Sequence, residues 1–158
     1  MNYKNFLFFL GLLILTPFAL CAEEKIVTIN IVSAQEIFTA GKTYGIDFKI
    51  AVLPPYHINS NKPLTAEYIP TKLNFTNTNG LLIESVTYPE AKPIALAGDD
   101  EQIMVWDGEI IVNTKLFVPQ GMKPGIYKVE ANLFYQACDD TLCHMPTQED
   151  FNFTITIK

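Results

Sequence analysis

Two cysteines, Cys138 and Cys143, are the residues whose type and spacing point to chemistry. They bracket a turn-like segment that reads Tyr135-Gln136-Ala137-Cys138-Asp139-Asp140-Thr141-Leu142-Cys143-His144-Met145-Pro146. Alternation leads into it, with Tyr127, Val129, Ala131, Leu133 and Tyr135 set against Lys128, Glu130, Asn132 and Gln136. Alternation resumes beyond it, with Phe151, Phe153, Ile155 and Ile157 set against Asn152, Thr154 and Thr156. A period of two is the signature of half-buried strands. The cysteines are therefore expected at the two feet of one turn between strands that pair. That placement can bring their Cα atoms to the roughly 4.4–6.8 Å a disulfide needs. In an exported protein such a pair is expected to oxidise.

Whether the bond is structural or redox-active stays open from the residues alone. A disulfide closing about six residues stabilises by roughly 2 kcal/mol in the chain-entropy model, against about 4.7 kcal/mol for a 100-residue loop. It is a weak staple and an accessible reaction centre. Asp139 and Asp140 lie between the cysteines with no adjacent lysine, and nearby negative charge disfavours a thiolate. Such a pair exchanges best with a partner that brings its own activated thiolate. A protonated His144 would offset the acids; otherwise it is a solvated turn residue. Zinc is the competing chemistry, with Cys138, Cys143, His144 and the distant His57 as ligands. A C-x4-C with one adjacent His is a weak pattern, and two distant elements would have to converge. No Ser-His-Asp arrangement, phosphate loop or HExxH is present. The acidic run Asp99-Asp100-Glu101 reads as a solvated loop. No metal or other cofactor is expected.

The elements that must position the pair are strands. Val27, Ile29 and Ile31 alternate with polar residues, as do Tyr44, Ile46, Phe48, Ile50 and Val52, and Ile110, Val112, Leu116 and Val118 share one parity. Shorter strands are expected at residues 72–76 and 81–88. Breaker clusters such as Ala40-Gly41-Lys42, Asn79-Gly80 and Lys123-Pro124-Gly125 separate them. Seven or eight such strands without a long amphipathic helix predict an all-β, two-sheet antiparallel β-sandwich. Residues 54–70 and 89–104 do not alternate. They are long for hairpin connections, and are either functional loops or crossovers between the sheets.

Composition sets the outer bounds. Of 158 residues, 49% are hydrophobic and 18% charged, a folded composition. The net charge is −6 and all eleven basic residues are lysines. Without arginine, the usual bidentate phosphate grip is missing, which argues against nucleic-acid binding. Residues 1–22, with Lys4, the apolar run Phe6–Leu15 and small residues near Ala22, read as a cleaved signal peptide. The run is too short for a permanent span, which needs roughly 20 residues. Cys21 is a candidate lipid anchor, although Leu20 is large for the position before a lipidated cysteine. Residues 23–158 are expected to form one monomeric domain, large enough for a core without staples.

The segment Tyr135-Gln136-Ala137-Cys138, with Cys143 and Pro146, resembles the N-terminal periplasmic domain of the thiol:disulfide interchange protein DsbD. Further matches fall in the same order: Tyr56-His57-Ile58-Asn59-Ser60 with Lys62-Pro63 and Pro70-Thr71, then Val86-Thr87-Tyr88-Pro89, then Val105-Trp106-Asp107-Gly108. The likeness runs from about Ile26 to Lys158. It implies an immunoglobulin-like fold for the sandwich, and a periplasmic domain acting as a protein-disulfide reductase component. Reducing equivalents would come from a thioredoxin-like domain or membrane thiol–disulfide carrier and pass to oxidised periplasmic proteins, including those of cytochrome c maturation. It implies further that Cys143 forms the mixed disulfide and Cys138 resolves it. Tyr56, His57, Asn59, Tyr135, Gln136, His144 and Pro146 would surround the pair, and residues 56–61 would join the docking surface as a loop. A cap would fall within residues 91–104, with Ile94, Leu96, Ile103 or Met104 shielding the sulfurs. The family's aromatic residues near the pair are replaced here by His57 and Asn59, and its cap phenylalanine is missing. The sequence holds neither the membrane domain nor the thioredoxin-like domain of the longer members, so a stand-alone homologue is expected. The alternative is an exported binding or assembly module with a purely structural disulfide.

Overall fold

In the computed structural model, residues 25–95 and 102–158 are described. The expected leader at residues 1–22, Cys21, Leu96 and the acidic run Asp99-Asp100-Glu101 lie outside them. Every strand pair is antiparallel, and the described residues contain no helix. The expected immunoglobulin-like sandwich is the observed fold.

One layer is a four-stranded sheet in the order β1 (Val27–Ser33), β2 (Lys42–Val52), β8 (Gly108–Val118), β5 (Leu82–Thr87). The facing layer has the order β11 (Thr147–Ile157), β9 (Gly125–Tyr135), β4 (Lys72–Asn77). Alternation does what period two requires. Ile46, Phe48, Ile50 and Val52 of β2 turn inward with Val112, Leu116 and Val118 of β8, against Val129, Leu133, Ile155 and Ile157 of the other layer. Phe48, fully buried, meets the rings of Phe75, Phe151 and Phe153 edge-on at 5.6–6.1 Å, joining the layers at their centre. On the outer face Asn113 donates to Asp47 at 2.7 Å and Lys49 to Glu109 at 2.9 Å. Thr114 continues the inward parity of β8 and is buried, with its hydroxyl unpaired.

The described residues form eleven strands, more than the seven or eight expected, because the two non-alternating segments are not plain loops. Together with Ala137–Cys138 of the cysteine segment, they build a third sheet in the order β10 (Ala137–Cys138), β3 (His57–Asn59), β7 (Gln102–Trp106), β6 (Lys92–Ala95). All three residues of β3 are buried. A strand covered on both faces has no reason to alternate, which is why the period-two pattern missed it. Residues 56–61 are thus not the exposed loop expected from the resemblance.

The Asn79-Gly80 breaker has positive φ at both residues, 50° and 91°. This conformation suits Asn and Gly in tight turns. Here it carries the chain from β4 in one layer to β5 in the other.

Candidate functional site: a disulfide on a strand edge

β9 and β11 pair in unbroken register from Gly125 opposite Ile157 to Tyr135 opposite Thr147. Beyond Tyr135 the chain passes Gln136 and becomes β10, which pairs with β3: Ala137 lies opposite Ile58 and Cys138 opposite His57. At its other edge Cys138 faces Cys143 in an antiparallel bridge. Two backbone bonds frame that bridge: the Asp139 amide donates to the Leu142 carbonyl at 3.0 Å, and the His144 amide to the Ala137 carbonyl at 2.8 Å. The cysteines therefore occupy a non-hydrogen-bonded position, where opposed Cα atoms come closest. Their Cα atoms are 3.9 Å apart and the sulfurs are bonded at 1.96 Å. The separation is a little shorter than the expected range.

Asp139 shapes the turn. Its Oδ1 accepts from the Thr141 hydroxyl at 2.7 Å, the Thr141 amide at 2.8 Å and the Leu142 amide at 3.0 Å. Its Oδ2 lies 3.3 Å from His144 Nε2. The Thr141 hydroxyl, followed by the two amides, holds this carboxyl well below the usual carboxylate range. An aspartate two residues before a threonine is a recognisable Asx-turn signal, and it identifies a structural role beyond the electrostatic one expected. His144 is half-exposed, as a turn residue would be, and also packs edge-on against the Tyr56 ring at 5.5 Å.

The two cysteine residues are unequally buried. Cys138 is 0% exposed, whereas Cys143 is partly exposed between Leu142 at 51% and Met145 at 85%. Pro146 is partly buried and leads into β11.

Gln136 ties the turn to the body. Its Oε1 accepts from Asn59 Nδ2 at 2.9 Å and from the Ile69 amide at 3.2 Å, and its Nε2 donates to the His144 carbonyl at 3.1 Å. Asn59 Nδ2 also donates to the Ile69 carbonyl at 3.2 Å. The loop at residues 61–70 is held at its base, where the Thr71 amide donates to the Ser60 carbonyl at 3.2 Å and Thr71 Oγ1 to the Asn59 carbonyl at 2.5 Å. Thr71 was not singled out as a site residue, and no local pattern marks its contact with β3.

Strand parity sorts the remaining candidates. His57, Asn59, Gln136 and Cys138 share one face of the third sheet with Val105 and Ile103, whereas Ile58, Ala137 and Trp106 face the main core. Tyr135 belongs to that core and is 2% exposed. Burial, with the charge of Glu149, pushes its hydroxyl up to about 12. It lies behind the pair and does not line it.

The expected cap is the β6–β7 hairpin, in which Ile94 pairs with Ile103 and Pro93 with Met104. β3 separates it from β10. Ile103 is buried on the sulfur side of the sheet, but Met104 turns the other way. It lines a groove of about 500 Å³ with Ser60, Tyr88, Glu90 and Ala91. Met104 is therefore not a shield for the sulfurs. Among the described residues no three His, Cys, Asp or Glu side chains are grouped to hold a metal ion.

Fold and site together define an immunoglobulin-like sandwich that carries a disulfide on a short strand outside its main layers. In this fold the chain is similar to the N-terminal periplasmic domain of ScsB from Proteus mirabilis, with a TM-score of 0.56 at 13% identity over 82% of this chain. It spans 47% of that ScsB chain. It is also similar to a structure of the complex between the DsbD N-terminal and PilB N-terminal domains from Neisseria meningitidis, with a TM-score of 0.51 at 14% identity, covering 85% of this chain and 87% of that one. A cohesin module from a Clostridium perfringens family 33 glycoside hydrolase gives a TM-score of 0.50 at 12% identity, covering 85% and 98%. No protein-family model and no curated protein matches the chain.

Proposed function

We propose that the protein carries out thiol–disulfide exchange through Cys138 and Cys143, with Cys143 as the sulfur that partners reach. The observation that carries this is the unequal exposure of the two cysteine residues in one edge turn, Cys138 buried and Cys143 partly exposed. An incoming thiolate must approach the sulfur it attacks, and Cys143 offers the approach.

In the reducing half-cycle a partner thiolate attacks Cys143 Sγ. The Cys138–Cys143 bond breaks, and Cys138 leaves with the electron pair and takes up a proton. The partner's second thiol then displaces Cys143, leaving the pair reduced and the partner oxidised. In the forward half-cycle Cys143 attacks a target disulfide and Cys138 resolves the mixed disulfide, so two electrons pass to the target. The electron source is a thioredoxin-like domain or membrane thiol–disulfide carrier, and the acceptors are oxidised periplasmic proteins, cytochrome c maturation factors among them. Supporting this are the fold shared with the ScsB and DsbD domains, the periplasmic setting of the former, and the occurrence of the latter in complex with a PilB domain. The leader at residues 1–22 would deliver the domain to that compartment.

The test is a trapping experiment. Cys138→Ser should accumulate a covalent complex with an oxidised periplasmic target, dissociated by dithiothreitol, whereas Cys143→Ser should form none. A reduction potential above about −300 mV is expected, since structural disulfides lie below that value. The second reading, a binding or assembly module with a structural bond, draws on the likeness to the cohesin module. It requires the lower potential and no trapped complex.

A further inference from the structure

Across β10 from Cys143 lies a buried histidine that the exchange reaction leaves without a task. His57 is 5% exposed, and its Nε2 has no hydrogen-bond partner. Its backbone is in register with Cys138, whose other edge faces Cys143. Cross-strand partners project to the same side of a sheet, with Cβ atoms about 4.5–5.5 Å apart. Cys143, Cys138 and His57 therefore form one row, running from the isolated bridge at Cys143 across β10 to β3. A buried polar nitrogen left unpaired is costly. While the disulfide is closed, Cys138 has no S–H to offer it; opening the bond creates that donor in the neighbouring position.

We propose that His57 is the proton acceptor for Cys138 in the resolving step. This role rests on the exchange function above. In the mixed disulfide between Cys143 and a target, the Cys138 S–H gives its proton to His57 Nε2. The resulting thiolate attacks Cys143 Sγ, the Cys138–Cys143 bond forms, and the Cys143–target bond breaks. The target sulfur leaves with the electron pair, and the proton on His57 passes to solvent or to the leaving sulfur. In the opposite direction the imidazolium returns a proton to Cys138 as it departs.

The surroundings suit a base. Burial lowers the proton affinity of His57, and Lys92 of β6 acts in the same direction. Asp140 and Asp139 of the cysteine turn and Asp107 after β7 oppose them without cancelling the effect of burial. The ring is thus neutral at pH 7 and free to accept a proton, while the three carboxylates stand ready to stabilise the imidazolium it becomes.

The reduced protein and the chromogenic disulfide dithiobis(nitrobenzoate) provide the test. Attack by Cys143 releases one coloured thiolate, and displacement by Cys138 releases the second. At pH 7, His57→Phe should lower the ratio of second-phase to first-phase rate by roughly tenfold or more. Without a base, resolution falls back on the few per cent of thiolate present for a thiol of pKa about 8.5. The wild-type second phase should be nearly flat above pH about 6.5, whereas that of the variant should climb with pH through the thiol range. His57→Gln, which can hydrogen-bond but takes no proton near neutrality, should behave as His57→Phe does and carries the test if the phenylalanine variant does not fold. An unchanged ratio and pH profile in either folded variant overturns the role of His57 and leaves the exchange function standing. Failure of the wild-type protein to release the second thiolate overturns both.

Discussion

Removing the Gln136 carboxamide should unfasten the cysteine turn from the rest of the domain. Gln136→Ala deletes three hydrogen bonds, to Asn59 Nδ2, the Ile69 amide and the His144 carbonyl. Each is worth about 1 kcal/mol net. Asn59 Nδ2 keeps the Ile69 carbonyl, and water can reach the half-buried site in part, so the sum falls short of three full bonds. A loss of roughly 2 kcal/mol is expected, equivalent to a Tm decrease of roughly 6–10 °C for a domain of this size. The measurement is thermal and urea unfolding of the oxidised protein, the latter followed by fluorescence of Trp106, the single tryptophan in the sequence. Because the bond to the His144 carbonyl is the side-chain tie next to Cys143, the variant should also show faster amide exchange at His144. A change under about 0.5 kcal/mol, the ordinary scatter of surface substitutions, would refute the claim that this network holds the turn.

Two further outcomes follow from other contacts. Tyr88 accepts a hydrogen bond from the Leu73 amide at 2.7 Å, satisfying a donor on the free edge of β4. Tyr88→Phe should cost about 1–2 kcal/mol in urea unfolding, the price of an orphaned part-buried amide. Asp139 is held below the usual carboxylate range in the folded protein, so the unfolded chain binds that proton more readily. Its contribution to turn order is complete above pH about 4 and is lost as pH falls through the folded-state value. The Thr141 and Leu142 amide resonances should shift together in that acid window. In Asp139→Asn, which keeps an oxygen acceptor but does not titrate, the shift should disappear.

What could be read in the sequence, and what could not, divides along physical lines. The cysteine turn was legible because two eleven-residue strands, β9 and β11, each with one apolar face, run into and out of it. Their alternation fixes parity, and parity fixes which residues can meet. The third sheet was not legible. β3 has three residues and β10 two, too few for any period to show, and β3 is covered on both faces. The opposition of His57 and Cys138 is a pairing between chain segments far apart in sequence, and nothing local to either residue announces it. The resemblance grouped His57 and Asn59 with the cysteines, but it could not say that they are buried strand residues. Nor could it separate Met104 from Ile103, whose opposite orientations follow from a register that only β6 and β7 together define.

The ladder between β9 and β11 has a consequence for durability. A molecule that shuttles electrons by making and breaking one of its own covalent links has to keep its shape in both conditions, or each cycle would end in partial melting. Here the link closes a stem already zipped by eleven consecutive residue pairs, so cutting it frees two sulfur atoms and little else. Under the proposed exchange, wear from repeated cycling would be confined to a handful of residues at the tip.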